Sequence, residues 1–285
     1  MNNLTISNRT DLAVIPNRLY HYTSLESLAL ILENKSIRFM RLTEMDDKQE
    51  VLTVDAKGIG KYFYASCWTD SDAESIPMWN MYTPIDSGVR ISLPTDPFPR
   101  YELGPNELHS LMPGAKVELE DNWKPLKTLI PIKELSQSWC LTNPDECLAR
   151  KIDYSDDYSM LVPSLCTEDN DHINIKFDGF GTVKNTGWSF QKEWRYILQL
   201  MLSPLTISPE ESAKLAQVMG KDILEGNLVE TRKYIDLPID DSALCSLEIT
   251  PSPKMSLGNR LLFNCLIDKY CPTAVIRESM FAGLL

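Results

Sequence analysis

Apolar positions recur at helical spacing just after residue 24, where Leu25, Leu28, Ala29, Ile31 and Leu32 mark one face. The spacing predicts a helix over 24–34, with Thr23 or Ser24 at its cap. Glu26 lies three residues after Thr23, the spacing of a capping box. Around this helix the pattern shortens to runs rich in aromatic and β-branched residues, which predict strands over 18–23, 36–42, 61–69 and 88–94. A short helix is expected over 74–84, starting near Pro77, and the charged stretch 44–51 reads as a solvated loop. Further on, strands are expected near 115–120 and over 147–156 and 189–200. A helix over 208–224 has Ser208 as its cap and an acidic first turn. Late strands lie in 233–239 and 244–253. A helix over 255–271, bent near Gly258, and a strand over 274–279 close the chain. Residues 1–17 read as a loose leader. No linker divides two cores, so 18–285 is expected to form one α+β domain around a mixed or split sheet with flanking helices. Segment 95–170 is either an insertion over a cleft or part of that sheet.

Composition narrows the classes. The 285 residues carry a formal net charge of -12 and are 43% hydrophobic. Such a chain is not a passive sheath for nucleic acid, although a local basic cleft is compatible with it. Disorder is excluded by the hydrophobic fraction. No apolar run approaches a membrane span and no signal pattern opens the chain, so a cytoplasmic protein without membrane contact is expected. Seven cysteines without a CxxC pair read as reduced, buried thiols rather than a zinc site. HExxH and Gly-x-Ser-x-Gly patterns are absent from the sequence.

The chemistry-bearing positions are few. His21, one of three histidines, stands between Tyr20 and Tyr22 on a predicted strand. Period-two alternation puts both tyrosines on the opposite face, so they are not expected to share its cleft. The same alternation aligns Gln191, Glu193 and Arg195, which either face solvent or line a cleft. Trp79 and Tyr82 lie three apart on the short helix, a spacing equally suited to core packing. Arg90 and Lys184 are single cations that would suit a phosphate. The Gly-rich stretch 179–187 lacks a phosphate-loop ending and reads as a mobile loop over a cleft.

Three blocks carry a resemblance: "LYHYTSLESLALILENKSIRF", "CWTDSDAESIPMWNMYTPIDSGVRISL" and "VKNTGWSFQKEWRYIL". Together they resemble the bacterial domain-of-unknown-function family 2971, over scattered blocks within about residues 18–200. The chain departs from that family at Gln191, where Glu is usual. The order of features is also similar to the ADP-ribosyltransferase superfamily, which implies a split mixed β-sheet with a His on the first strand, an aromatic on a second and a Glu on a late strand. The resemblance implies that Glu193 and His21 are catalytic. It also implies that NAD, as substrate, lies along His21, Tyr22, Thr23, Trp79, Tyr82, Arg90, Lys184 and Gln191, with His21 donating a ring N–H to a ribose oxygen. The acceptor would be a protein or a nucleic acid, or NAD would simply be split as by a glycohydrolase, in a toxin or phage-defence setting. Two other readings stand beside it. One is a non-catalytic nucleotide- or partner-binding module of the same fold. The other is a nuclease-type effector, for which "DSDAE" and "YSDDY" supply carboxylates without a supporting pattern.

Overall fold

Strand β1 (Arg18–Ser24) runs directly into helix α1 (Leu25–Asn34). Ser24 caps the helix, its hydroxyl accepting the N–H of Ser27 at 3.0 Å. The cap position is Ser24, so Thr23 and Glu26 are not in the register of a capping box. The computed structural model describes residues 15–104, 106, 126–131, 139–140, 149–169, 172–177, 179–201, 224–227 and 232–285. The expected leader up to residue 14, the strand near 115–120 and the helix over 208–224 with its Ser208 cap lie outside the described residues.

After α1 come β2 (Ser36–Arg41), β3 (Phe63–Thr69), helix α2 (Ile76–Tyr82) and β4 (Gly88–Pro94). Short strands β5 (Tyr101–Leu103), β6 (Leu126–Thr128), β7 (Trp139–Cys140), β8 (Ala149–Lys151) and β9 (Asp153–Tyr154) lead to the helical turn α3 (Tyr158–Leu161). Strands β10 (Cys166–Asp169), β11 (His172–Ile175) and β12 (Val183–Lys184) precede the long β13 (Glu193–Met201). The chain closes through β14 (Tyr234–Pro238), α4 (Asp241–Cys245), β15 (Glu248–Pro251), α5 (Leu257–Tyr270) and β16 (Val275–Ile276). Ser256 caps α5, which places Gly258 in its first turn.

Among the described residues, ten strands form one mixed sheet, ordered β14-β2-β3-β1-β4-β15-β16 with β13 joined to β3 and to β7 and β8. β15 and β16 run parallel, whereas β1, β3, β4 and β13 pair antiparallel. Because β8 pairs with β13 and Leu103, Leu129 and Ile130 join the main core, parts of 95–170 belong to the sheet and its packing. Helix α1 and helix α5 cover one face, where Leu28, Ile31 and Leu32 share a core with Phe263 and Ile267. A second apolar cluster gathers Leu42, Ile59, Tyr62, Phe63 and Phe180.

The sheet splits at β3. One edge of β3 pairs with β13 from Phe63 to Thr69. The other edge is shared: β2 takes Tyr64 and Ala65, and β1 takes only Thr69, opposite Tyr20. Ser66, Cys67 and Trp68 have no strand partner on that edge among the described residues, so backbone groups there need other donors. His21 supplies one.

Two segments differ from the sequence expectation. The predicted strand 189–200 begins only at Glu193. Asn185 accepts the N–H of Gly187 and starts a 3-10 turn over Thr186–Gln191, which ends at Lys192 with φ 45°. That left-handed residue turns the chain into β13, so Gln191 is not on the strand that carries Glu193. The stretch 179–187 is not a loose flap. Gly181, at φ 76°, lies where a Cβ would come within 2.9 Å of Leu42, and β12 follows at once, paired with β9.

A candidate active site at the split of the sheet

His21 inserts its ring where β1 leaves β3. Its Nδ1 lies 2.7 Å from the carbonyl oxygen of Cys67, and the ring stacks at a tilt on Trp68, centroids 5.1 Å apart. A carbonyl only accepts, so Nδ1 carries the proton. Burial lowers the pKa of this imidazole, outweighing the Cys67 carbonyl, which favours the cation. The ring is therefore neutral near pH 7 and Nε2 is a hydrogen-bond acceptor. The expected donation from His21 to a ribose oxygen is thus reversed: its N–H is spent on the sheet.

Beside it opens a cavity of about 100 Å³. Of the positions expected at a site, His21, Tyr22, Tyr82, Lys184, Gln191 and Glu193 border it. Tyr20 borders it as well, so the two tyrosines and His21 do share one cleft, because the split lets the sheet edge face the cavity. Three expected positions do not border it. Thr23 is buried at the end of β1. Trp79 is the buried residue of α2, edge-on to Tyr22 with ring centroids 4.9 Å apart, and donates its indole N–H to Glu74. Arg90 lies over the rings of Tyr20 and Tyr22 and donates to the carbonyl of Asp72. These two serve packing on the face of β1 and β4 covered by α2.

The floor of the cavity is a closed ring of alternating charge. Lys184 donates to Glu193 Oε2 at 2.9 Å and meets Glu50 Oε1 at 3.0 Å. Arg195 Nε reaches Glu193 Oε1 at 2.5 Å, and its two terminal nitrogens reach Glu50 at 2.5 and 2.9 Å. Arg195 also donates to the carbonyl of Gly181. Exposure of these four residues is only 1% to 7%. Two cations and two carboxylates cancel, as burial at this depth demands.

Glu50 sits in the 3-10 turn Lys48–Val51, within the stretch expected to be solvated. Arg195, fully buried on β13, requires a counter-charge beyond Glu193, which it shares with Lys184. The sequence alone carries no signal for which acid supplies it. Burial works against ionisation of Glu193, yet Arg195 and Lys184 outweigh it and hold the carboxyl below its ordinary range. Burial likewise works against charge on Lys184, and Glu193 and Glu50 raise it above its ordinary value. Lys184 therefore meets carboxylates, not a phosphate.

Further groups complete the wall. Gln191 accepts from Lys184 at 2.9 Å and donates its amide N–H to the hydroxyl of Tyr82. Burial and the nearby Glu193 keep the Tyr82 phenol protonated well above its ordinary range, so its O–H remains a donor. Tyr154 donates no charge but accepts the Glu193 N–H at 2.8 Å, and burial pushes its phenol up to about 12. Burial and Glu193 likewise hold the Cys67 thiol protonated. Trp188, Met45 and Met78 add apolar surface, and Asp46 and Asp47 also line the cavity. Asp47 keeps one carboxylate oxygen buried without a hydrogen-bond partner. An adjoining cleft of about 390 Å³ shares Tyr22, Met78 and Gln191 with the first and adds Ser71, Ser75, Phe190, Lys192 and Phe281.

Cys245 and Cys265 are exposed, against the expectation that the thiols are all buried. No helix among the described residues is long and apolar enough to cross a membrane. Comparison with protein-family models, with curated proteins and with solved structures finds no match to this chain. The likeness to family 2971 and to ADP-ribosyltransferases therefore rests on the quoted blocks alone.

Proposed function

We propose that this cleft cleaves the bond between nicotinamide and ribose in NAD and passes the ADP-ribosyl group to a macromolecular acceptor. The observation that carries the reading is that His21, Tyr82 and Glu193, from three separate elements, border one cavity at the split of the sheet. In this reading the C–N bond breaks with its electron pair passing to the pyridinium nitrogen, which becomes neutral. Positive charge builds on the ribose. Glu193, fixed and ionised, lies ready to stabilise that charge more in the transition state than in the ground state. The acceptor then bonds to the ribose carbon and loses its proton. Nε2 of His21 accepts a ribose hydroxyl. Tyr82 and Trp188 close on the nicotinamide, and Asp46 and Asp47 favour its positive ring.

Size and charge agree with a divided substrate. A cavity of about 100 Å³ suits one ring, not a dinucleotide. The remainder would extend into the adjoining cleft, where Lys192 is the exposed cation. One observation favours a second reading, a non-catalytic nucleotide-binding module: both oxygens of Glu193 already face cations, which weakens its pull on a sugar cation.

NAD consumption and ADP-ribose release by the purified protein separate the two. The wild type is expected to turn NAD over. Glu193→Gln should lose about 100-fold or more, as expected for removing one preorganised electrostatic group. His21→Ala lies outside the charged ring and should lower turnover; it also removes the donor to the Cys67 carbonyl and the ring packed on Trp68, so turnover is compared at a temperature where the variant stays folded. A wild type whose melting temperature rises with NAD but which releases no nicotinamide would establish the binding module instead.

A further inference from the structure

We infer that Glu50, delivered by the 3-10 turn Lys48–Val51, is a positioning residue for Glu193, acting through Arg195; this rests on the NAD-cleaving reading of the cleft. The geometry is specific. Glu50 takes both terminal nitrogens of Arg195, at 2.5 and 2.9 Å. The Nε–H of Arg195 goes to Glu193 and reaches a single oxygen, Oε1, while Nη1 also donates to the Gly181 carbonyl. Glu50 also meets Lys184 at 3.0 Å, which leaves Lys184 on the other oxygen, Oε2, at 2.9 Å.

Each Glu193 oxygen thus receives one cationic donor and keeps further acceptor capacity. Without Glu50, the guanidinium fork of Arg195 is free to turn its terminal nitrogens onto Glu193 and grip both oxygens at once, the geometry such a fork prefers. A carboxylate held that way has turned from the cavity, and it faces two cations with no competing acid. Glu50 therefore sets both the direction of Glu193 and its remaining charge. The groups facing Glu193 are Lys184 from β12, Arg195 from its own strand, Cys67 from β3, Tyr82 from α2 and Tyr154 from β9, and Glu50 touches two of them directly.

The test must separate positioning from folding. Glu50→Gln keeps the shape of the side chain and leaves Arg195 in place, so a change at Glu193 traces to Glu50 and not to a lost guanidinium. Turnover of NAD is measured beside the wild type as kcat, KM and a pH profile, with circular dichroism and melting temperature as controls. Positioning predicts kcat lower by about tenfold or more with KM little changed, since a misdirected group costs rate even when the substrate still binds. It also predicts that the acid limb of the pH profile moves to lower pH, because Glu193 then faces two cations with no competing acid. A merely structural role predicts a native melting temperature with kcat within about twofold and an unmoved acid limb, and that result overturns the inference. If Glu50→Gln does not fold, Glu50→Asp decides. Its shorter reach should lower kcat in a folded protein, and full activity there overturns the inference equally. A wild type without turnover instead removes the NAD reading, and the positioning role falls with it. Wild-type turnover beside fully active variants removes the positioning role alone.

Discussion

Two ion-pair clusters in this chain share their chemistry and differ widely in burial. Arg195 grips Glu50 with both terminal nitrogens at 2.5 and 2.9 Å, and each side chain is 1% exposed. Arg38 on β2 grips Asp236 on β14 at 2.8 and 2.9 Å, with side-chain exposures of 44% and 35%. Distance alone would rank them together. Surroundings decide otherwise. Removing one partner of the buried pair strands a charge in a medium that cannot solvate it. Removing one partner of the surface pair returns the other to water. The same fork-to-carboxylate contact is therefore a constraint on fold and site in one place and a minor contact in the other.

The largest break in that comparison is Arg195→Met alone. It leaves Glu50 and Glu193 with only Lys184 between them, and about 3–5 kcal/mol of stability should go. The urea midpoint should fall accordingly, and NAD turnover should fail with it. A loss below about 1 kcal/mol would mean that water enters the ring freely and that the two clusters are not different in kind.

Next in size is the pH dependence, whose sign follows from the shifted groups. Glu193 has its folded pKa below the ordinary value of 4.5, so its contribution is complete above that value and is lost as pH falls through the lower folded pKa. Lys184 has its folded pKa above the ordinary 10.5, so its contribution is complete below that value and is lost as pH rises through the higher folded pKa. The ring should therefore stabilise fully between about pH 4.5 and 10.5, values set by the ordinary pKa of each group. Melting temperature measured across pH should drop on the acid side of this window in the wild type. The drop should be shallower in Glu50→Leu with Arg195→Met, where Glu193 retains one cation instead of two. Equal acid slopes for the two proteins would refute the assignment of this dependence to the ring.

The contrast also explains what could be read from the chain beforehand. Strands β1, β3 and β4 and helix α1 were legible because alternation and helical spacing report burial of one face, and those faces are apolar. His21 and Glu193 stood out as polar groups on aromatic elements, and Tyr82 came from the resemblance; all three border the cavity. Glu50 was not legible: a buried acid in "EMDDKQEV" has the same local pattern as a solvated one, and its partner is far along the chain. Arg90 and Trp79 misled for the converse reason, being chemically suited to a ligand yet consumed by packing against Tyr20, Tyr22 and Glu74. The strand boundary at 193 escaped because it depends on one left-handed residue, Lys192, a conformation without a signature in the side chain.

The smallest effect sharpens the comparison from the surface side. Arg38→Ala removes a bidentate contact and a cation 3.6 Å above the ring of Tyr234. An exposed pair contributes about 0.2–1 kcal/mol, and an exposed cation over an aromatic ring about 0.5–1 kcal/mol. The two share one guanidinium, so the combined loss should stay near 1 kcal/mol, and it should shrink as salt screens the charges. Urea midpoints of wild type and Arg38→Ala at low and high sodium chloride measure both properties. A loss of about 3 kcal/mol that is indifferent to salt would place this pair with Arg195 and Glu50. The distinction would then lie in the fork geometry that the two pairs share, and no longer in the water that reaches only one of them.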